Sequence, residues 1–160
     1  MSAWARPRRG WVLLAALLAG LVPAAANATD GVAAGQAIFG RDCFACHGDK
    51  GQGIAGIAPA LAGQLTSVLQ QDLGRDYVTR VLIFGLSGRI LSQGQTFTGA
   101  MPTHAALSDA DLADVANYVA QSLNALTEPI FKPTHFAQAR TLKPAPTHKD
   151  LRALRSQVMP

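Results

Sequence analysis

The chain has 160 residues, 49% hydrophobic and 15% charged, with a formal net charge of +4 and two cysteines. That length suits one small domain with an extension. Two cysteines exclude a disulfide-rich scaffold and a four-cysteine zinc site. The basicity is poor ground for nucleic-acid binding, because Arg6, Arg8 and Arg9 stand in the first 28 residues, which hold no acid.

Residues 1–28 read as a secretory signal peptide. The three arginines form a positive start, and Trp11 to Val22 an uncharged, mostly apolar run of 12 residues. That run is short of the roughly 20 residues that span a bilayer. Pro23 breaks it, and Ala26-Asn27-Ala28 is a small-x-small cleavage site. The reading is therefore export to the periplasm, with cleavage near Ala28. The alternative is an uncleaved membrane anchor.

Charge divides the rest of the chain. Residues 29–124 hold five Lys/Arg against eight Asp, whereas residues 125–160 hold six Lys/Arg against Glu128 and Asp150. A basic tail can lie on its own acidic domain, reach an acidic partner or membrane surface, or stay solvated.

Asp30 to about Asp42 predicts a short helix capped by Asp30, with Val32, Gly35, Ile38 and Phe39 at helical spacing. It delivers the chain into Cys43-Phe44-Ala45-Cys46-His47, the attachment signature of a c-type haem. Two thiols at this spacing can form thioethers to two vinyl groups of one porphyrin, and the adjacent imidazole can ligate the iron. Three other chemistries use Cys-x-x-Cys. A zinc site would need further ligands, and no second Cys pair exists. A thiol redox site would be expected beside a βαβ pattern, which the chain lacks. A structural disulfide here would close a very small loop and constrain the unfolded chain little.

Gly48 to Gly63 reads as a glycine-rich loop containing Pro59. Thr66 to Leu73 predicts a turn or two of helix ended by Gly74. Asp76 to Phe84 predicts a helix with a broad apolar face, stopped by Gly85. Leu86 to Pro102 reads as irregular, with a tight hairpin near Arg89–Phe97. Ser108 to about Asn124 is the strongest helix pattern, because Ser108 and Asp111 make a capping box and Leu112, Val115, Ala116, Val119 and Leu123 line one face. Beyond it lies a Pro-punctuated tail with a short helix over Lys149–Gln157.

A haem iron carrying His47 needs a sixth ligand, often a methionine thioether, which raises the reduction potential. After the leader only Met101 and Met159 remain, and Met159 is next to the last residue, where order is not expected. Met101 sits in the loop Gly99-Ala100-Met101-Pro102, just before the strongest helix. A methionine filling a core gap is the bland alternative. His104 is a rival ligand three residues on, while His135 and His148 lie in the tail. An enzyme or gas sensor with an open sixth site would need acid–base groups over the iron, and His104 alone is nearby.

These residues carry a resemblance. From about Gly31 to Asn124 the chain resembles the monohaem class I cytochromes c, especially small bacterial periplasmic ones. The likeness rests on Gly35 and Phe39, Cys43-x-x-Cys46-His47, Ala58-Pro59-Ala60-Leu61, Tyr77 to Gly85, Gly99-Ala100-Met101-Pro102, and Leu107 to Val119.

The resemblance implies an all-α fold wrapped around one covalent haem c. It implies a first and a last core helix crossing near Gly35, with Phe39 packed toward Tyr118. It also implies that the Pro59 carbonyl accepts a hydrogen bond from the other ring nitrogen of His47. The expected organisation is a signal peptide over 1–28, a haem domain over 29–124 and a basic extension over 125–160. Cys43 and Cys46 would attach the haem, and His47 and Met101 would be its axial iron ligands. The expected function is one-electron transfer rather than enzymatic catalysis, with redox proteins as donors and acceptors, a dehydrogenase or a terminal oxidase among them. No nucleic acid is expected, and membrane contact would run through the basic tail or an uncleaved signal. The alternative is a haem c subunit of a periplasmic or membrane dehydrogenase complex. Segments resembling Phe136–Arg140 and Asp150–Arg155 follow the haem domain in some cytochromes that serve such enzymes.

Overall fold

The computed structural model describes Met1 and residues 28–159. Residues 2–27 of the expected leader, with its arginines and apolar run, lie outside the described residues. Among the described residues, no helix is long and apolar enough to cross a membrane.

The helices, in order, are α1 (Ala28–Asp42), α2 (Phe44–His47), α3 (Thr66–Leu69), α4 (Asp72–Phe84), α5 (Asp109–Asn124), α6 (Pro133–Arg140) and α7 (His148–Val158). Between α4 and α5 lie four short strands: β1 (Leu86–Ser87), β2 (Ile90–Ser92), β3 (Gln95–Phe97) and β4 (Ala100–Met101). β1 pairs antiparallel with β4, and β2 with β3. The β2–β3 pair is the expected hairpin. Gln93 and Gly94 turn it with φ of 51° and 74°, the two positive angles a tight two-residue hairpin turn needs.

α1 and α5 form the most extensive helix–helix contact. They meet at Gly35, where an added Cβ would collide with the Asp114 carbonyl and come within 2.9 Å of the Tyr118 Cβ. The missing side chain lets the two backbones approach. One turn on, the Phe39 and Tyr118 rings pack at 5.4 Å, tilted by 52°, a favourable aromatic geometry. The crossing and the ring pair are as the resemblance implied.

α5 begins as its sequence dictates. The Ser108 hydroxyl accepts from the Asp111 N–H at 3.1 Å, and the Asp111 carboxylate accepts from the Ser108 N–H at 3.3 Å, so donors at the open helix start are satisfied. The helix expected to stop at Gly74 does not: α3 ends at Leu69, and α4 starts at Asp72 with Gly74 inside it. A Cβ at Gly74 would overlap the Val68 carbonyl oxygen. The glycine serves close packing of α4 on α3 rather than helix termination.

The tail is built into the molecule. Phe131, Phe136 and Ala139 join Leu65, Leu69, Leu82 and Leu112 in one buried cluster, and Leu151 and Val158 join Val68, Tyr77, Val81 and Leu86 in another. Met159 packs against both, although its place near the chain end argued against order. Asn117, buried on α5, ties the tail down. Its side-chain oxygen accepts from the Ile130 and Phe131 N–H groups at 2.9 Å each, and its amide donates to the Phe131 carbonyl at 2.9 Å. Arg140 ends α6 by pairing with Asp109 at 2.7 Å and donating to the Ala105 and Leu107 carbonyls at 2.8 Å each.

Asn117→Ala would strand two tail N–H groups in the core. It should cost roughly 2 kcal/mol or more, read as a lower denaturant midpoint of the haem-loaded protein.

Candidate functional site

Helix and loop geometry place the five expected site residues around one cavity of about 980 Å³. Cys43 ends the α1 segment and precedes the single turn of α2, where the His47 N–H donates to the Cys43 carbonyl at 2.9 Å. This turn sets both thiols and the imidazole against the same opening. His47 is buried, 8% exposed, whereas Cys46 is exposed.

The loop 48–63 folds back to hold the imidazole. The Gly53 N–H donates to the His47 carbonyl at 2.8 Å, and the Leu61 N–H donates to the Gly51 carbonyl at 2.7 Å. The His47 Nδ1–H donates to the Pro59 carbonyl at 3.0 Å. A carbonyl can only accept, so Nδ1 carries the proton and Nε2 keeps its lone pair for a metal. Gly53 makes this possible. Its φ is +77°, and a Cβ there would sit 2.7 Å from the Pro59 carbonyl carbon.

Electrostatics favour the ligating form of His47. Burial pushes the His47 pKa down, opposed by the Pro59 hydrogen bond and aided by His104. The imidazole therefore stays neutral. Burial pushes the Cys43 thiol up to about 11, with the Asp42 charge in support. Before attachment Cys43 is a protonated thiol at neutral pH.

Met101 reaches the cavity from another direction. β4 pairs Met101 with Leu86 of β1. The following residues are pinned to the end of α4: the His104 N–H donates to the Leu82 carbonyl at 2.8 Å, and the Thr103 hydroxyl donates to the Ile83 carbonyl. These carbonyls lie in the last turn of α4, where intrahelical partners run out. Gly85 permits the approach, because a Cβ there would lie 2.7 Å from the Met101 carbonyl oxygen. Met101 is half-buried and packs on two apolar clusters.

Cys43, Cys46, His47, Pro59 and Met101 all line the cavity, and so does His104. His135 and His148 do not line it. His135 instead accepts from the Lys132 N–H at the start of α6, at 3.4 Å. Among the described residues, no three His, Cys, Asp or Glu side chains gather to hold a bare metal ion.

The sequence reading missed two groups of lining residues. The β2–β3 hairpin contributes Ile90 to Gly94, and α7 contributes Arg152 and Arg155. The only sequence signal for the arginines is their spacing on the helix that also buries Leu151.

The walls suit a haem. Phe39, Leu65, Val68, Val81, Leu82 and Val115 offer apolar faces to a porphyrin. Two thiols at one rim and a neutral imidazole complete a donor set matched to a c-type haem. A mainly helical chain enclosing such a site is a cytochrome c of the class I type.

The comparisons agree. The family model for cytochrome c matches residues 32–123, so the chain belongs to the cytochrome c family, and its cofactor is covalently bound haem c. It is similar to a cytochrome c-552 of Thermus thermophilus, 38% identical over 104 residues, covering 65% of each chain. A second Thermus thermophilus cytochrome c-552 is 41% identical over 78 residues, 49% of this chain and 60% of that one. Cytochrome c-554(548) of Halomonas halodenitrificans is 34% identical over 93 residues, 53% of this chain and 94% of that one. The chain thus spans less than two thirds of the length of either Thermus relative.

Gly53→Ala should press the Pro59 carbonyl away from His47 while straining the backbone. We expect a stability loss of about 2 kcal/mol in chemical denaturation, and a shifted His47 Nδ1–H resonance.

Proposed function

We propose that this chain is an exported one-electron carrier with His47 and Met101 as axial ligands of a haem attached through Cys43 and Cys46. The observation that carries the reading is the shared cavity, with His47 oriented by Pro59 and Met101 delivered by a loop pinned to α4.

Bound haem supplies a ferric/ferrous couple. The chain supplies the conditions for fast exchange. His47 presents a fixed, neutral Nε2. Met101 presents a soft thioether, which favours the ferrous state and raises the potential. Both sit on backbone held by several hydrogen bonds, so neither has to move as the charge changes. The apolar walls keep water from the reacting centre.

Electrons would pass at the thioether rim. Phe44 is 51% exposed and Ile57 54%, beside Cys43, Cys46 and the 54–58 loop. Exposed apolar side chains of this kind suit a small contact and a short-lived redox encounter. The leader over 1–28, a haem domain over 29–124 and an extension over 125–160 complete the proposal, with the periplasm as the compartment. The packing of α6 and α7 onto their own domain supports a carrier over a subunit docked through a free tail.

Met101→Ala tests the sixth ligand. The variant should lose the ferric thioether charge-transfer band, show a lower reduction potential and bind carbon monoxide in its ferrous form. A variant that keeps the parent's spectrum and excludes carbon monoxide would leave Met101 without that role. Cys43→Ser or Cys46→Ser should block maturation, seen as loss of the haem mass increment.

A further inference from the structure

α7 brings two cations to the cavity, from a segment beyond the residues the family model matches. Arg155 is 8% exposed, too buried for its head to sit in water. Among the described residues it makes no ion pair with a carboxylate. Arg89 and Arg152 line the same cavity, and among the described residues Asp42 is its only carboxylate. Asp42 is already engaged: the hydrogen bond from Arg41 holds it below the usual carboxylate range.

Local partners do not neutralise Arg155. The Tyr77 hydroxyl lies beside it, but burial pushes that phenol up to about 12 against the pull of the guanidinium. Tyr77 therefore stays neutral. Arg155 also stands in the last turn of α7, where the helix dipole favours a cation. That effect is worth about half a unit charge at most. A buried guanidinium needs a full counter-charge with hydrogen bonds, and here the cavity's occupant has to bring it.

We propose that Arg155, with Tyr77 beside it, is the anchor for a haem propionate. The inference rests on the reading that the haem occupies this cavity. The guanidinium fork matches a carboxylate through two parallel N–H···O bonds. Arg152, one turn earlier, is positioned independently, because it donates to the Ser87 carbonyl of β1. There a Cβ on Gly88 would lie 2.9 Å from the Arg152 Cζ. α7 thereby reads the charge at the haem edge, and its cation favours the ferrous state.

The test uses the haem-loaded Arg155→Gln and Arg155→Lys variants. Mass and absorbance first confirm covalent haem and the parent's axial-ligand bands; their absence from the parent itself would overturn the cavity reading and this inference with it. In Arg155→Gln the ferric/ferrous equilibrium should move toward ferric by about tenfold, about 59 mV for one electron. Its potential should also rise as pH falls through neutrality, because the released propionate takes up a proton. Asp42, His47, Tyr77, Arg89, His104 and Arg152, the other titratable or charged lining groups of the haem-loaded protein, are common to parent and variant, so the difference isolates the propionate. Arg155→Lys keeps the charge and should restore most of the potential, yet shift the propionate bending band in resonance Raman spectra. Potentials, pH profiles and propionate bands equal to the parent's would overturn the proposal. If Arg155→Gln fails to assemble, the band in Arg155→Lys decides alone.

Discussion

The structure depends on one constraint: a small chain must close around a cavity of about 980 Å³. Its apolar side chains fall into three buried clusters rather than one. Leu65 and Leu82 belong to the first, Val68, Tyr77 and Val81 to the second, Phe39 and Val115 to the third, and all of them line the cavity. A side chain facing a void loses its dispersion partners on that side. A flat, apolar haem held there would restore those contacts for three clusters at once. Cofactor and core are therefore parts of one packing problem, as in proteins whose metal completes the fold.

The same constraint explains where the backbone is drawn tight. On the proposed reading, the two ligands would come from segments distant in sequence. His47 is fixed by a loop that returns to it through Gly53 and Pro59. Met101 is fixed by a strand and a turn that cap the end of α4. In both cases unpaired backbone groups at a helix end or loop supply the hydrogen bonds. Secondary structure and site share the same donors and acceptors, so disturbing one disturbs the other.

What the sequence made legible follows local rules. The Cys43–His47 spacing, the Ser108–Asp111 box and the hairpin within Arg89–Phe97 each act within a few residues, and each is found in place. The His47–Pro59 bond and the Phe39–Tyr118 contact were legible only through family resemblance, because nothing in their spacing encodes them. Gly74 misled, since a glycine that ends a helix and one that lets two helices touch look alike in one dimension. α6 was missed as an element: its eight residues carry little periodicity, and its stability comes from Phe136 packing and the Arg140 clamp. Arg155 was invisible for the same reason, since its meaning depends on a cavity assembled by other elements.

Charge shows how far the body and its extension form one unit. The 29–124 segment is acidic and the tail basic, a division that an external partner could read. Part of that complementarity is met inside the molecule. Arg140 closes on Asp109 at the start of α5, where the carboxylate also faces the positive end of the helix dipole. Arg152 is held by the β1 backbone, and Arg155 faces the cavity. Lys132, Lys143 and Lys149 are left on the exposed side. Arginines drawn into the body thus sit apart from solvated lysines, a division that follows the chemistry of the two side chains. The arginines shape the interior, and the lysines remain to set the long-range field that a redox partner would meet.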